Sequence, residues 1–92
     1  MQHFPDALDT AVFTTTHVVR HHSAILYVYH FEDGYWQFSG SEENLSDQDY
    51  LLLGLGEIIA LDPSVTQIAH LPLGAMAYRE SKQAEWVITQ DA

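Results

Sequence analysis

The sequence of 92 residues contains no cysteine and only three basic residues, Arg20, Arg79 and Lys82. The missing cysteine excludes disulfides and thiolate metal sites. The scarcity of basic groups, against thirteen acidic ones and a net charge of −10 with His neutral, argues against nucleic acid as a partner. Anionic membrane surfaces are disfavoured for the same reason. Long apolar runs are also missing. The longest, such as 24–29, fall far short of the roughly 20 residues a membrane helix requires. Residues 1–12 hold neither a basic cluster nor an extended apolar stretch, so no targeting signal is expected and the cytoplasm is the default compartment. Three prolines and five glycines leave little room for a linker, and no internal repeat is visible.

What is present points to one folded domain. Apolar residues make up 47% of the chain, including two Trp, five Tyr and four Phe, which is too rich for disorder despite the charge. Without staples, packing must supply the stability, and the expected core is built on Phe13, Tyr27, Tyr29, Phe31, Trp36, Phe38 and Trp86. Residues 1–11 lack a hydrophobic period and are expected as a loose arm, leaving 12–92 as a single α+β domain.

The β-branched run 12–19 suits a strand. So does 24–31, which is apolar on both faces: Ile25, Tyr27, Tyr29 and Phe31 on one, Ala24, Leu26, Val28 and His30 on the other. Asp33-Gly34 is a strong signal for a two-residue type I′ hairpin turn. That turn would pair Phe31 with Trp36 and Tyr29 with Phe38, lining one face with four aromatics. Residues 39–49 read as an acidic loop and 50–53 as a strand. The period then becomes helical. Leu55, Ile58, Ile59 and Leu61 form one apolar stripe after a Gly54 N-cap; Val65, Ile68 and Ala69 form another after Asp62-Pro63. Residues 75–80 and 84–89 read as a closing hairpin. The expected architecture is a mainly antiparallel sheet of four to six strands with two short helices packed on one face.

Motifs for chemistry are sparse. There is no Gly-x-Ser-x-Gly elbow, Gly54-x-Gly56 lacks the third glycine of a dinucleotide fingerprint, and no lysine follows to make a phosphate loop. No catalytic residue and no cofactor is therefore expected. Among six histidines, His17 and His21 are four apart and His30 lies on the next strand, which makes them weak metal candidates and supplies an alternative reading as a small-molecule or metal-binding domain. Several histidines are expected to titrate between pH 5 and 8. Glu42, Glu43, Asp47 and Asp49 lack the glycine and distal glutamate of a calcium loop. They read instead as a negative rim. With Glu32, Asp33 and the adjacent Tyr35 they are the candidates for contacting a protein partner, because aromatic and charged groups together suit such a surface. A basic partner would be steered by the charge. The chain itself is expected as a monomer or homodimer, since an exposed edge strand can pair two copies.

The run 28–40, Val-Tyr-His-Phe-Glu-Asp-Gly-Tyr-Trp-Gln-Phe-Ser-Gly, resembles the central hairpin of a bacterial family of unknown function related to the immunity proteins of polymorphic toxin systems. Residues 55–64, with the junction Asp62-Pro63-Ser64, resemble that family's helix. Leu71-Pro72-Leu73-Gly74, Ala77-x-Arg79-Glu80 and Trp86 extend the similarity over about residues 12–88. The family's glycine-rich connection before the second strand is here Arg20-His21-His22-Ser23. The resemblance implies no catalytic residue. It implies binding and masking of a protein partner such as a toxin.

Overall fold

The computed structural model describes residues 4–90. It is an α+β fold built on one six-stranded sheet. The strands are β1 (Ala11–Thr15), β2 (Tyr27–His30), β3 (Trp36–Ser39), β4 (Tyr50–Gly54), β5 (Ala75–Tyr78) and β6 (Val87–Gln90). Their order across the sheet is β4-β1-β3-β2-β5-β6. Every neighbouring pair is antiparallel except β1 and β3, which run parallel, so the sheet is mixed. Two α-helices, α1 (Thr16–Arg20) and α2 (Leu55–Leu61), and two 3-10 helices, over Asp47–Asp49 and Pro63–Ile68, complete the described fold.

The β-branched run expected as one strand divides at Thr15. The Thr15 hydroxyl accepts the Val18 N–H at 3.2 Å, and this N-cap turns Thr16–Arg20 into α1. Threonine favours strands through its shape but also caps helices through its oxygen, and here the second property wins. The helix ends at Arg20 with His21 as its C-cap, and the next residue, His22, takes a left-handed φ of +56°. A glycine adopts that conformation freely, whereas a side chain strains it.

The β2–β3 hairpin has a register one residue away from the expected one. Trp36 lies opposite His30 and Phe38 opposite Val28. The cause is the turn. The Gly34 N–H donates to the Phe31 carbonyl at 2.9 Å, and the Phe31 N–H donates to the Tyr35 carbonyl at 2.8 Å. Gly34 takes φ +96°, while Asp33 is not among the non-glycine residues with positive φ. The loop is therefore a type I turn followed by a left-handed glycine, with three residues instead of two. A slip of one residue exchanges the faces. Trp36 and Phe38 enter the core beside Val28, while Tyr27, Tyr29 and Phe31 point to the other side.

The segment expected as a loose arm is anchored from Phe4 onward. Phe4 is buried, with its ring edge-on to Trp36 at 5.0 Å and to Phe38 at 6.2 Å. The Thr10 and Leu8 carbonyls accept from Leu55 and Gly56 N–H, both at 2.9 Å. They satisfy donors that the first turn of a helix leaves open. The Glu57 carboxylate takes the Gly54 N–H at 2.9 Å, as expected of an acidic first turn.

One face of the sheet carries the core. Val12, Val28, Trp36, Phe38, Ala75 and Ala77 are closed over by Val18, Ile25, Leu55, Ile58, Val65, Ile68 and Leu71. A buried ion pair ties the final hairpin to this layer. Arg79 donates to Asp62 at 2.8 Å, to Ser64 Oγ at 2.9 Å and to the Ile25 and Lys82 carbonyls at 3.0 Å. Trp86 covers its guanidinium at 4.1 Å. Nearly every donor is used, which is the condition under which a buried charge is tolerated. Asp62 also caps the 3-10 helix through the Ser64 N–H at 3.1 Å. Among the described residues no helix is long and apolar enough to cross a membrane.

Candidate functional site: the open face of the sheet

The opposite face of the same sheet has no helical layer over it. Side chains alternate along a strand, so residues paired across strands share a face. The registers place Leu52, Phe13, Gln37, Tyr29, Met76 and Thr89 in one row across all six strands. A second row holds Ser39, Tyr27, Tyr78 and Val87. Tyr35, Phe31 and Tyr50 border them. Leu52 is 57% exposed, Tyr35 50%, Phe31 39% and Tyr50 38%, so large apolar surface reaches solvent here. The rings contact one another: Phe13 lies 5.7 Å from Tyr35, and Tyr29 stacks on Phe31 at 5.9 Å.

Two of the hollows on this face adjoin the acidic turn and loop. One of about 540 Å³ is lined by Phe13, Phe31, Asp33, Tyr35, Gln37 and Tyr50. The other, about 240 Å³, lies toward the loop after β3 and is lined by Tyr27, Tyr29, Gln37, Ser39, Glu42, Glu43 and Tyr50 among others. Neither has a lysine or arginine in its wall. Arg79 is buried in its ion pair, so Arg20 and Lys82 are the exposed cations. The face therefore combines aromatic surface with charge of one sign.

The sequence candidates divide. Tyr35 and Asp33 line the larger hollow, and the Asp33 carboxylate accepts the Tyr35 N–H at 3.2 Å. Glu32, in the same turn, borders a neighbouring cleft with Tyr29 and Met76. Glu42 and Glu43 line the smaller cavity. Asp47 and Asp49 line neither; they form a 3-10 turn leading into β4. The Asp49 carboxylate accepts the Ser46 N–H at 2.8 Å and the Ser46 hydroxyl at 3.2 Å. The Ser46 N–H, opposed by desolvation and then aided by the Ser46 hydroxyl and by His17, holds its carboxyl below the usual range.

The histidines expected as weak metal ligands do not assemble. His17 and His21 lie together, rings 5.8 Å apart, because they are one turn apart on and just beyond α1. His30 is on the covered face, stacked on Trp36 at 3.8 Å, with Nδ1 donating to the Leu71 carbonyl at 2.7 Å. Among the described residues no group of three or more His, Asp or Glu is placed to hold a metal ion.

Tyr27, Tyr29, Phe31 and Phe13 were expected in the core and instead make the site. One signal in the sequence distinguishes two of them: the residues flanking Val28 are Tyr27 and Tyr29, aromatics with a polar tip suited to a wet surface, whereas Phe13 and Phe31 carry no such mark. Burial raises the Tyr29 hydroxyl's pKa above its ordinary value of 10.0, and the neighbouring Tyr27 and Tyr50 hydroxyls add to the effect. Three phenols thus converge at the smaller cavity. No protein-family model, curated protein or solved structure was found to match the chain.

Proposed function

We propose that the chain is a non-catalytic, acidic protein-binding domain whose open sheet face docks a basic protein surface. The observation that carries this reading is the pairing of exposed aromatics with charged neighbours that are all acidic on one face. Aromatic side chains are enriched in interface cores and supply most binding hot spots. Exposed apolar patches of this kind mark interaction surfaces more often than chance exposure does. A charge of −10 accelerates encounter with a basic partner and discourages acidic ones.

Size sharpens the expectation. Six strands spaced about 4.8 Å apart, four or five residues long, present a face of roughly 350 Å². A standard footprint is about 800 Å² per partner. The partner therefore reaches past the sheet onto the Glu32-Asp33 turn and the Glu42-Glu43 loop. Masking of a toxin, as the similarity to immunity-related proteins implies, is the biological form this binding would take.

The test is a titration. The protein recovered with the chain from its native cells is purified and titrated against wild type, Tyr35→Ala and Tyr50→Ala at low and at high salt. The expected partner is basic, binds each variant at least about tenfold more weakly, and associates more slowly as salt rises. A partner that is acidic, or one whose affinity ignores both substitutions, overturns the proposal.

A further inference from the structure

We infer that the smaller cavity of the open face, walled by Tyr27, Tyr29 and Tyr50 and edged by Glu42 and Glu43, receives an arginine side chain of the docked partner. The inference rests on the protein-binding reading and specifies which residue of the partner anchors it.

Size excludes most alternatives. About 240 Å³ is below the roughly 300 Å³ at which small-molecule and cofactor pockets begin, yet ample for one long side chain. Charge excludes others. Two carboxylates and three phenols line the cavity with no basic group among them, so an anionic occupant would face two like charges and no cation to offset them. A neutral apolar side chain would leave the carboxylates desolvated and unpaired, which is unfavourable.

The carboxylate of Glu42 supplies an independent observation. Its Oε2 accepts the Ser23 hydroxyl at 2.8 Å, which fixes the group in place. Its Oε1 is shut off from solvent and has no hydrogen-bond partner. It lies where a Cβ on residue 40 would come within 2.6 Å, so the glycine at 40 makes room for it. The fold thus pins a carboxylate at the rim of an aromatic cavity, its Oε1 turned to the backbone of Gly40 and its negative charge without a cation among the described residues. Guanidinium suits both features: it stacks on aromatic faces and donates in pairs to carboxylates, whereas ammonium is a strongly hydrated point charge.

The probe is N-acetyl-L-arginine methylamide, titrated into the full chain while the tyrosine ring resonances are followed by NMR. Saturable shifts at Tyr27, Tyr29 and Tyr50, with a dissociation constant on the order of millimolar, are expected. Glu42→Gln, which keeps an acceptor for Ser23, should weaken binding about tenfold, and Tyr50→Leu by a similar factor. The folded state of each variant is checked by its unchanged remaining resonances; should one variant misfold, the other decides. The norleucine analogue should not bind, and the lysine analogue should bind several-fold more weakly. Equal binding of lysine or norleucine, or no saturable shift at these tyrosines, overturns the inference. The two proposals fail separately. A basic partner that binds wild type and Glu42→Gln equally removes the arginine anchor and leaves the docking face. Arginine binding without any docking of a basic protein does the reverse.

Discussion

The two faces of this sheet are made by the same strands, and alternate residues of those strands have opposite tasks. On the covered side, Val12, Val28, Trp36 and Phe38 are wholly buried, and four segments of chain close over them. On the open side, Phe13, Tyr27, Tyr29 and Gln37 stand half-buried between those same residues, with no helix packed over them among the described residues. The covered face holds apolar side chains, the buried Thr14 and one histidine whose Nδ1–H is bonded to a carbonyl. The open face holds tyrosines beside carboxylates. The difference shows that aromatic content alone does not locate a core. A ring contributes to stability when chain covers it, and it is available for binding when nothing does.

The largest expected effect breaks the comparison in one direction. Trp36→Ala should cost about 3–5 kcal/mol, enough to unfold much of a domain of this size, because it empties a packed site. Tyr35→Ala, one residue away on the other face, should change stability by less than about 1 kcal/mol. Urea denaturation of both variants checks the pair, and similar losses would mean that the open face is structural. Next comes the buried ion pair. Arg79→Met should destabilise by about 3–5 kcal/mol because it strands the Asp62 carboxylate, whereas Arg79→Met with Asp62→Asn, which keeps an oxygen for the Ser64 N–H, should recover part of that loss. A double-mutant cycle measures both.

A gain is expected at His22. Replacing it with glycine relieves the left-handed strain and should raise stability by about 1 kcal/mol, read as an increase in melting temperature. The smallest effect is a titration at the edge of the open side. The Asp49 carboxyl is held below its unfolded value, so its contribution is present above about pH 4 and is lost as the pH falls through the folded value. Tyr29 behaves in the opposite sense. Its hydroxyl is raised, so stability is unaffected below about pH 10 and falls as the pH climbs through the folded value. Asp49→Asn should flatten the acid limb of the stability profile; an unchanged limb would show that Ser46 does not hold the carboxylate.

Much of the architecture was legible in residue order. The α2 stripe of Leu55, Ile58 and Ile59 lies where the period places it, and Asp62-Pro63 starts the next helical turn as capping chemistry requires. The sheet and its mainly antiparallel pairing followed from alternation. Three features were hidden because each depends on one local competition. Thr15 is equally a strand former and a cap. Glu32-Asp33-Gly34 closes a three-residue turn that differs from a two-residue turn by one position, and that position decides which face every aromatic of β2 occupies. Phe4 belongs to no periodic segment, so only the finished core shows that it fills the gap above Trp36 and Phe38. The site was half legible for the same reason. Tyr35, Asp33, Glu42 and Glu43 were visible as surface chemistry, whereas Tyr27 and Tyr29 were hidden by the register.

The most direct test of the open face as a binding surface is native mass spectrometry of the chain taken from its own cells, as wild type and as the Tyr35→Ala/Tyr50→Ala double variant. The account predicts that the wild type carries a basic protein and that the double variant, still folded, arrives bare. A double variant that keeps its partner, or a wild type that carries none, would contradict it.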